Sequence, residues 1–139
     1  MTAIQTKCAC TRLRRGSRAI TDLYDAALKP AGIKITQFSV LRHVDRLQPV
    51  NISRLAAEMA LDRSTLGRNL LLLRRDGLVL FSDADDMRQW SIELSAKARR
   101  LLERALPLWQ SAQARIERTL GREGVTTLFD LLQKVETVR

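Results

Sequence analysis

The sequence predicts a mainly α-helical domain with one small β-hairpin. Two observations support this class. Leu, Ala and Arg, which favour helices, are abundant, and most apolar residues recur at the spacing of one helix face. The exception is residues 78–94, where two short apolar stretches flank a polar segment rich in Asp, as in a hairpin. A chain of 139 residues, 45% of them apolar, is long enough for one domain with a modest core.

The first two helices are predicted from their periodicity and from the signals at their ends. The first covers residues 8–31, and Gly32 ends it in a left-handed conformation. Thr36 is the predicted N-cap of the second helix, which carries Phe38 on its apolar side. That helix ends at residues 48–49, because the residue before a proline is disfavoured in a helix.

The third and fourth helices are separated by about one turn residue. Ser53 is the predicted N-cap of a helix that ends at Ala60, and Asp62 is the predicted N-cap of the next helix, which stops at residues 76–77. So short a link forces the two helices to cross steeply, which is the spacing of a helix-turn-helix. Ala60 stands where such a turn usually has Gly.

A two-stranded hairpin follows the fourth helix directly. Residues 78–81 and 90–94 form its predicted strands, and the segment between them is a polar tip. A recognition helix followed at once by such a hairpin, or wing, makes a winged helix-turn-helix. Residues 33–94 are therefore predicted to be a DNA-binding lobe.

Helices from both termini flank this lobe. Ser95 is the predicted cap of a long helix, which Pro107 is expected to kink, and a last helix follows a break at residues 121–124. The flanking residues 1–32 and 95–139 carry apolar stripes that have no other partner. We expect these two segments to join two copies of the chain into a homodimer.

The front of the fourth helix carries side chains suited to reading bases. Arg pairs with guanine, Asn pairs with adenine, and Ser or Thr contacts bases or phosphate. An Arg at a wing tip enters the minor groove, and a neighbouring Asp orients it. The alternatives are a solvated helix cap and an ordinary hairpin salt bridge. The candidate DNA-binding residues are Ser53, Arg63, Ser64, Thr65, Arg68, Asn69, Arg74, Arg75, Asp86 and Arg88.

The net charge of +9 favours an acidic polymer, here double-stranded DNA, as the partner. The charge is unevenly distributed along the sequence. Residues 50–90, which include the helix-turn-helix and most of the wing, hold six Arg and six Asp or Glu and so carry no net charge. Binding is therefore expected to depend on where the arginines face, and a dimer would double the overall field.

Together these segments resemble the MarR family of transcription regulators. The matching segments are residues 32–41, which enter the second helix, 52–56 and 61–68 in the helix-turn-helix, 73–79 at the join to the wing, and the Asp-x-Arg of Asp86 and Arg88. The resemblance implies a homodimer that binds a pseudo-palindromic operator, acts as a repressor, and is released by a small aromatic or phenolic effector.

The first helix suggests where an effector would act. Cys10, Ser17 and Tyr24 follow one another by seven residues and so share one stripe, which Phe38 can join from the second helix. The resemblance places this stripe near the cleft between the dimer helices and the reading lobe. His43 is a further candidate effector contact.

Thiol-based oxidant sensing is the alternative mode of control. Cys10 is spaced like the reactive cysteine of hydroperoxide-sensing members of the family. Cys8 is a possible resolving partner, but on a helix two side chains that are two residues apart point away from each other. Those members carry tyrosines where Ile35 and Phe38 stand here, so the sequence favours a ligand over an oxidised thiol.

Other classes of function lack their motifs. The sequence has no Gly-rich phosphate loop and no nucleophile elbow, and its single histidine leaves little for metal or Cys-His chemistry. We therefore predict no catalysis, no cofactor and no metal. No apolar run is long enough to cross a membrane and no signal peptide is evident, which predicts a cytoplasmic protein without a membrane partner. A winged-helix protein-interaction adaptor remains the other alternative.

Overall fold

The computed structural model describes residues 6–82 and 85–139. The residues outside this description are 1–5, in the predicted dimerisation segment, and Asp83 and Ala84, in the predicted wing tip. Two 3₁₀ turns, Lys29–Ala31 and Met87–Gln89, lie between the main elements. The main elements are α1 (Ala9–Leu28), α2 (Ile35–Leu47), β1 (Val50–Asn51), α3 (Ile52–Met59), α4 (Arg63–Arg75), β2 (Val79–Phe81), β3 (Ser91–Leu94) and α5 (Ala96–Glu136). The predicted mainly α class with a small β wing is confirmed.

The start of α2 corrects the sequence analysis, since Thr36 is not its cap. Lys34 has the extended backbone of a cap residue, and α2 begins at Ile35. The Ile35 N–H donates to Oδ1 of Asp25 in α1 at 2.8 Å, and the Gln37 side chain accepts from the Lys34 N–H at 3.1 Å. Because a carboxylate of α1 satisfies the first free N–H, α2 needs no hydroxyl cap.

The helix-turn-helix forms as predicted, with a different cap on α3. Asn51, not Ser53, is the N-cap of α3, and its side chain accepts from the Arg54 N–H at 2.8 Å. Asp62 caps α4 as predicted and accepts from the Thr65 N–H. Both helices of the helix-turn-helix therefore begin at a side-chain oxygen that fixes the first turn.

The turn between α3 and α4 depends on a left-handed alanine. Ala60 has a φ of +52°, and its N–H donates to the Ala57 carbonyl at 3.2 Å. The Leu61 N–H then donates to the Ala56 carbonyl at 3.0 Å, which ends α3. An L-residue with a Cβ is strained in this conformation, whereas Gly is not.

The wing is part of a three-stranded antiparallel sheet with the strand order β1-β3-β2. Val50 pairs with Ile92, and Val79 pairs with Leu94, so β3 lies in the centre. Sequence analysis missed β1, because two residues are too few to show alternation. The extra strand fastens the wing to the start of α3.

One apolar core holds the lobe together, and the described residues bury no polar side chain in it. Its fully buried large side chains come from α1 to α4 and from the sheet, and include Leu28, Leu41, Leu55, Leu66, Leu70, Leu73, Ile92 and Leu94. This core sets the orientation of α4 and the wing.

The long C-terminal helix α5 begins after the predicted cap, and its break lies at Gly121 alone. Ser95 accepts from the Ala98 N–H at 3.1 Å. The backbone leaves helical geometry at Gly121, with a φ of +76°, rather than at Pro107, and Gly124 is helical. The chain therefore turns at the residue that tolerates a positive φ. Among the described residues, no helix is both long and apolar enough to cross a membrane.

Candidate functional site

Helix α4 divides its residues between a buried and an exposed face. Leu66, Leu70 and Leu73 are fully buried. On the other face, the spacing i, i+4, i+7 and i+11 produces a second line of side chains, all exposed. We call these four residues the recognition row: Ser64, Arg68, Leu71 and Arg75. Burial of the leucines turns this row to solvent.

The first three residues of the recognition row border a shallow groove of about 310 Å³ together with Arg88 of the wing. Arg63 also donates to the Ser53 hydroxyl at 3.5 Å, which ties the start of α4 to α3. The groove brings four of the predicted site residues together and adds Leu71, whose signal in the sequence is its place seven residues after Ser64. The four predicted residues that line the groove with Leu71 are Arg63, Ser64, Arg68 and Arg88.

Asp62 organises the first turn of α4. Its Oδ1 accepts from the Ser64 hydroxyl and from the Thr65 N–H, both at 2.7 Å, and its Oδ2 accepts from the Thr65 hydroxyl at 2.8 Å. These hydrogen bonds, led by that of Ser64, hold the pKa of Asp62 well below its usual range. Thr65 Oγ1 in turn accepts from Arg68 at 3.4 Å. The turn is thus ordered around a permanent negative charge.

On the wing, the predicted Asp-x-Arg forms a close pair. Arg88 Nη2 donates to Asp86 Oδ2 at 2.9 Å, and its Nε donates to the same oxygen at 3.2 Å. The pairing lowers the pKa of Asp86 and raises that of Arg88, in each case first through the side-chain hydrogen bond. Asp86 therefore sets the direction in which Arg88 extends.

Three other predicted residues lie away from the centre of the groove. The Arg74 guanidinium stacks over the Phe81 ring at 5.1 Å from its centroid, and so supports the base of the wing. Arg75 lies on the recognition row but forms an ion pair with Asp76 at 3.4 Å. Asn69 is half-buried and does not line the groove.

A larger cleft of about 640 Å³ lies between α1 and α5. Its lining is mainly apolar, with Ser17 and Tyr24 from the predicted stripe and Gln113 from α5 among its polar members. The Tyr24 hydroxyl donates to Gln113 Oε1 across the cleft. Sequence analysis missed Gln113, because no local pattern connects residues so far apart in the chain.

Trp109 connects this cleft to the reading lobe. Its ring stacks on Tyr24 with the centroids 6.3 Å apart, and on Phe38 with the centroids 6.2 Å apart. Phe38 is buried in the core beneath and does not line the cleft. Burial raises the pKa of the Tyr24 phenol, and the nearby charge of Glu117 adds to this. The three stacked rings join α1, α2 and α5.

The two cysteines are free and exposed, and neither lines the cleft. Cys8 is the N-cap of α1 and has an extended backbone, so helix periodicity does not fix its direction relative to Cys10. Hydrogen bonds from the side chain and backbone of Thr11, and from the backbone of Cys10, lower the pKa of the Cys8 thiol. Of the predicted stripe, the cleft therefore contains Ser17 and Tyr24 but not Cys10.

His43 also lies outside the cleft. Its Nδ1 is 2.7 Å from the Ser39 carbonyl of its own helix, and Arg42, Asp45 and Arg46 surround it at the surface. Within residues 6–82 and 85–139, no group of three His, Cys, Asp or Glu could hold a metal ion.

Comparison with solved structures identifies the family. The transcriptional regulator MosR of M. tuberculosis, solved in a complex with DNA, is 39% identical, has a TM-score of 0.82, and aligns over 96% of this chain and 99% of its own. A mutant of MarR from E. coli, complexed with operator DNA, has a TM-score of 0.80 at 24% identity, covering 90% of this chain and 91% of its own. This chain belongs to the MarR family of transcriptional regulators.

A third MarR-family structure, the transcriptional repressor CouR, shares the fold at 22% identity. Its TM-score is 0.83, and the alignment covers 94% of this chain and 93% of CouR. No family model and no curated protein matches the sequence. The family resemblance of the sequence is therefore confirmed by structure.

Proposed function

We propose that this MarR-family protein is a sequence-specific DNA-binding regulator, a cytoplasmic repressor that acts as a homodimer on a pseudo-palindromic operator. The recognition row is the observation that carries the proposal. The row begins in the fixed first turn of α4, and its first three residues share a groove with Arg88 of the wing. The fold is that of MosR, which has been solved in a complex with DNA. The arrangement suits a helix in the major groove and a wing at the adjacent minor groove.

The charge of the lobe supports this use of the row. Two of the six acids in residues 50–90 are occupied locally, since Asp62 bonds to the first turn of α4 and Asp86 bonds to the wing arginine. Among the described residues, neither Arg63 nor Arg68 forms an ion pair. Residues 50–90 carry no net charge and still present guanidinium groups without an ion-pair partner, and Arg pairs well with phosphate and guanine.

Selection of bound fragments from random duplex DNA tests the proposal. We expect a two-fold symmetric motif, with half-sites about one helical turn apart. Titration of the selected duplex and a scrambled one at rising salt should show that the preference persists while both affinities fall. A protein-interaction adaptor would enrich no motif, and that result would refute the proposal.

The apolar surfaces of α1 and α5 support the homodimer. Leu13 and Ile20 are exposed on α1, and Phe129 and Leu131 of α5 are more than half exposed in the isolated protomer. A second copy would cover these side chains and close the cleft between the helices. Truncation after Gly121 should give monomers or aggregates in sedimentation with little operator binding, whereas a stable monomer of full affinity would contradict the dimer.

We propose further that a small aromatic or phenolic effector occupies the part of the cleft near Ser17 and Tyr24. The Tyr24 hydroxyl and Gln113 offer hydrogen bonds, and Trp109 offers a link to the lobe. An effector would release DNA if it binds better to a dimer whose recognition helices are spaced wrongly for the operator. The coupling free energy between effector binding and DNA binding would be about 1–3 kcal/mol. Tyr24→Phe should then alter effector potency, whereas Cys10→Ser should leave it unchanged.

Oxidant sensing is a second candidate, favoured by the exposed cysteines and by the lowered pKa of Cys8. A thiolate attacks peroxide, and a second thiol then displaces water from the sulfenic acid to give a disulfide. Cys10 is the predicted sensor, and the lowered pKa of Cys8 makes either thiol a candidate for the attack. Peroxide should release DNA from the wild type and not from Cys8→Ser or Cys10→Ser, and reductant should restore binding. Peroxide release that survives both substitutions would exclude this mode.

A further inference from the structure

The direction of one hydrogen bond restricts what Ser64 can recognise. Asp62 is a carboxylate with a lowered pKa, so it only accepts hydrogen bonds. The Ser64 hydroxyl lies 2.7 Å from Asp62 Oδ1 and must therefore donate its single proton to it. The serine oxygen is left with lone pairs at the exposed groove of α4. Toward a partner, Ser64 is thus an acceptor and not a donor.

Thr65 does not compete for this role. Its hydroxyl donates to Asp62 Oδ2 at 2.8 Å and accepts from Arg68 Nη2 at 3.4 Å. Both kinds of hydrogen bond are therefore used within the helix. Of the two hydroxyls in the first turn of α4, Ser64 is the one that faces the groove with accepting capacity.

Each base pair offers one donor group to such an oxygen in the major groove. Guanine presents N7 and O6, and thymine presents O4, all of which are acceptors. The donors are the N6 amino group of adenine and the N4 amino group of cytosine. Phosphate oxygens are acceptors as well, and the negative charge of Asp62 beside Ser64 repels them.

We propose that Ser64 accepts a hydrogen bond from the groove-facing amino proton of an adenine or a cytosine, and contacts neither phosphate nor a base acceptor. This inference rests on the proposed function. Asp62 is the positioning residue, because it takes up the serine proton through a charge-assisted bond, which is stronger than the neutral bond that a base acceptor would offer in exchange.

Methylated bases test the proposal on the selected operator. Selection is repeated with Ser64→Ala, and the base pair whose preference relaxes is identified. At that pair, N6-methyladenine or N4-methylcytosine replaces the natural base, which blocks the groove-facing amino proton and keeps the pairing. We expect wild-type affinity to fall about threefold to tenfold, the worth of a neutral hydrogen bond, and the affinity of Ser64→Ala not to change.

Two further arms detect the opposite polarity. A 7-deazapurine at the same pair removes the N7 acceptor, and a methylphosphonate at the adjacent linkages removes a charged phosphate oxygen. Both should affect the wild type and Ser64→Ala equally. A loss confined to the wild type in either arm would show that Ser64 donates, and would overturn the proposal.

The controls separate this inference from the proposed function. Ser111→Ala removes an exposed serine of α5, outside the lobe, and should retain the wild-type base preferences. If Ser64→Ala also keeps every preference while the wild type binds its operator, the role of Ser64 is refuted and the DNA-binding function stands. If the wild type selects no sequence, the proposed function itself fails.

Discussion

Replacing Ala60 by Gly should stabilise the protein, although it removes a side-chain atom. Ala60 has a φ of +52° in the turn between α3 and α4. The left-handed conformation costs an L-residue about 1–2 kcal/mol. Glycine avoids this cost, but its greater conformational entropy stabilises the unfolded chain by about 0.4–1 kcal/mol. The net gain in the free energy of unfolding is about 0.5–1 kcal/mol, or a rise in Tm of about 2–4 °C for a domain of this size.

The matched control is Ala57→Gly, an exposed position inside the regular part of α3. There the same substitution should lower the free energy of unfolding by about 0.5–1 kcal/mol, because Gly is a poor helix residue. Thermal and urea unfolding at one fixed protein concentration measure both variants. If Ala60→Gly is as destabilising as Ala57→Gly, the assignment of strain to the turn is wrong.

Three further predictions concern the wing, the groove and the thiol. Arg88→Ala should weaken binding most on operators with A·T-rich flanks, since a narrow minor groove favours an inserted Arg; equal losses on G·C-rich flanks would exclude groove-width reading. Leu71→Ala should remove any preference of the wild type for thymine over deoxyuridine at one position, because an apolar side chain contacts the thymine methyl group. A wild-type protein indifferent to that methyl group would refute this contact. Thr11→Val, in a Cys10→Ser background, should shift the pH profile of Cys8 alkylation to higher pH, because the side-chain hydrogen bond that lowers the pKa of Cys8 most is lost. An unchanged profile would show that Thr11 does not lower the pKa of Cys8.

Sequence alone predicts the elements of the fold because their signals are local. The apolar periodicity of α4, its Asp62 cap and its Gly77 end all lie within one short segment, and each is found as predicted. The same holds for Ser95 before α5. Gly32 has the predicted left-handed conformation, but it ends the 3₁₀ turn that follows α1 at Leu28. Such signals act through backbone hydrogen bonds to near neighbours, which a single sequence shows directly.

The misses share a different cause, which is long-range contact. Thr36 is a good cap by residue type, but Asp25 reaches across from α1 and satisfies the start of α2 first. Gln113 meets Tyr24 across 89 positions of sequence, so periodicity cannot pair them. Asn51 serves both the sheet and the cap of α3, and therefore displaces Ser53.

The recognition row is an intermediate case. Helical spacing predicts which residues share the exposed face of α4, but only packing shows which of them meet the wing. The charge of Arg74 predicts a DNA contact, but only the structure shows that its guanidinium lies over the Phe81 ring. The polarity of Ser64 likewise depends on the hydrogen bonds of Asp62, which residue type alone does not fix.

The specificity ratio of Arg68→Ala is the most direct test of the claim that α4 reads DNA through the recognition row. The ratio compares affinity for the selected operator with affinity for a scrambled duplex, at one salt concentration. We expect Arg68→Ala to lower this ratio by an amount that corresponds to about 1–3 kcal/mol of binding free energy. The preference at one base pair in each half-site should relax. Arg104→Ala, an exposed arginine of α5, should leave the ratio unchanged. Equal ratios for wild type and Arg68→Ala would contradict the account.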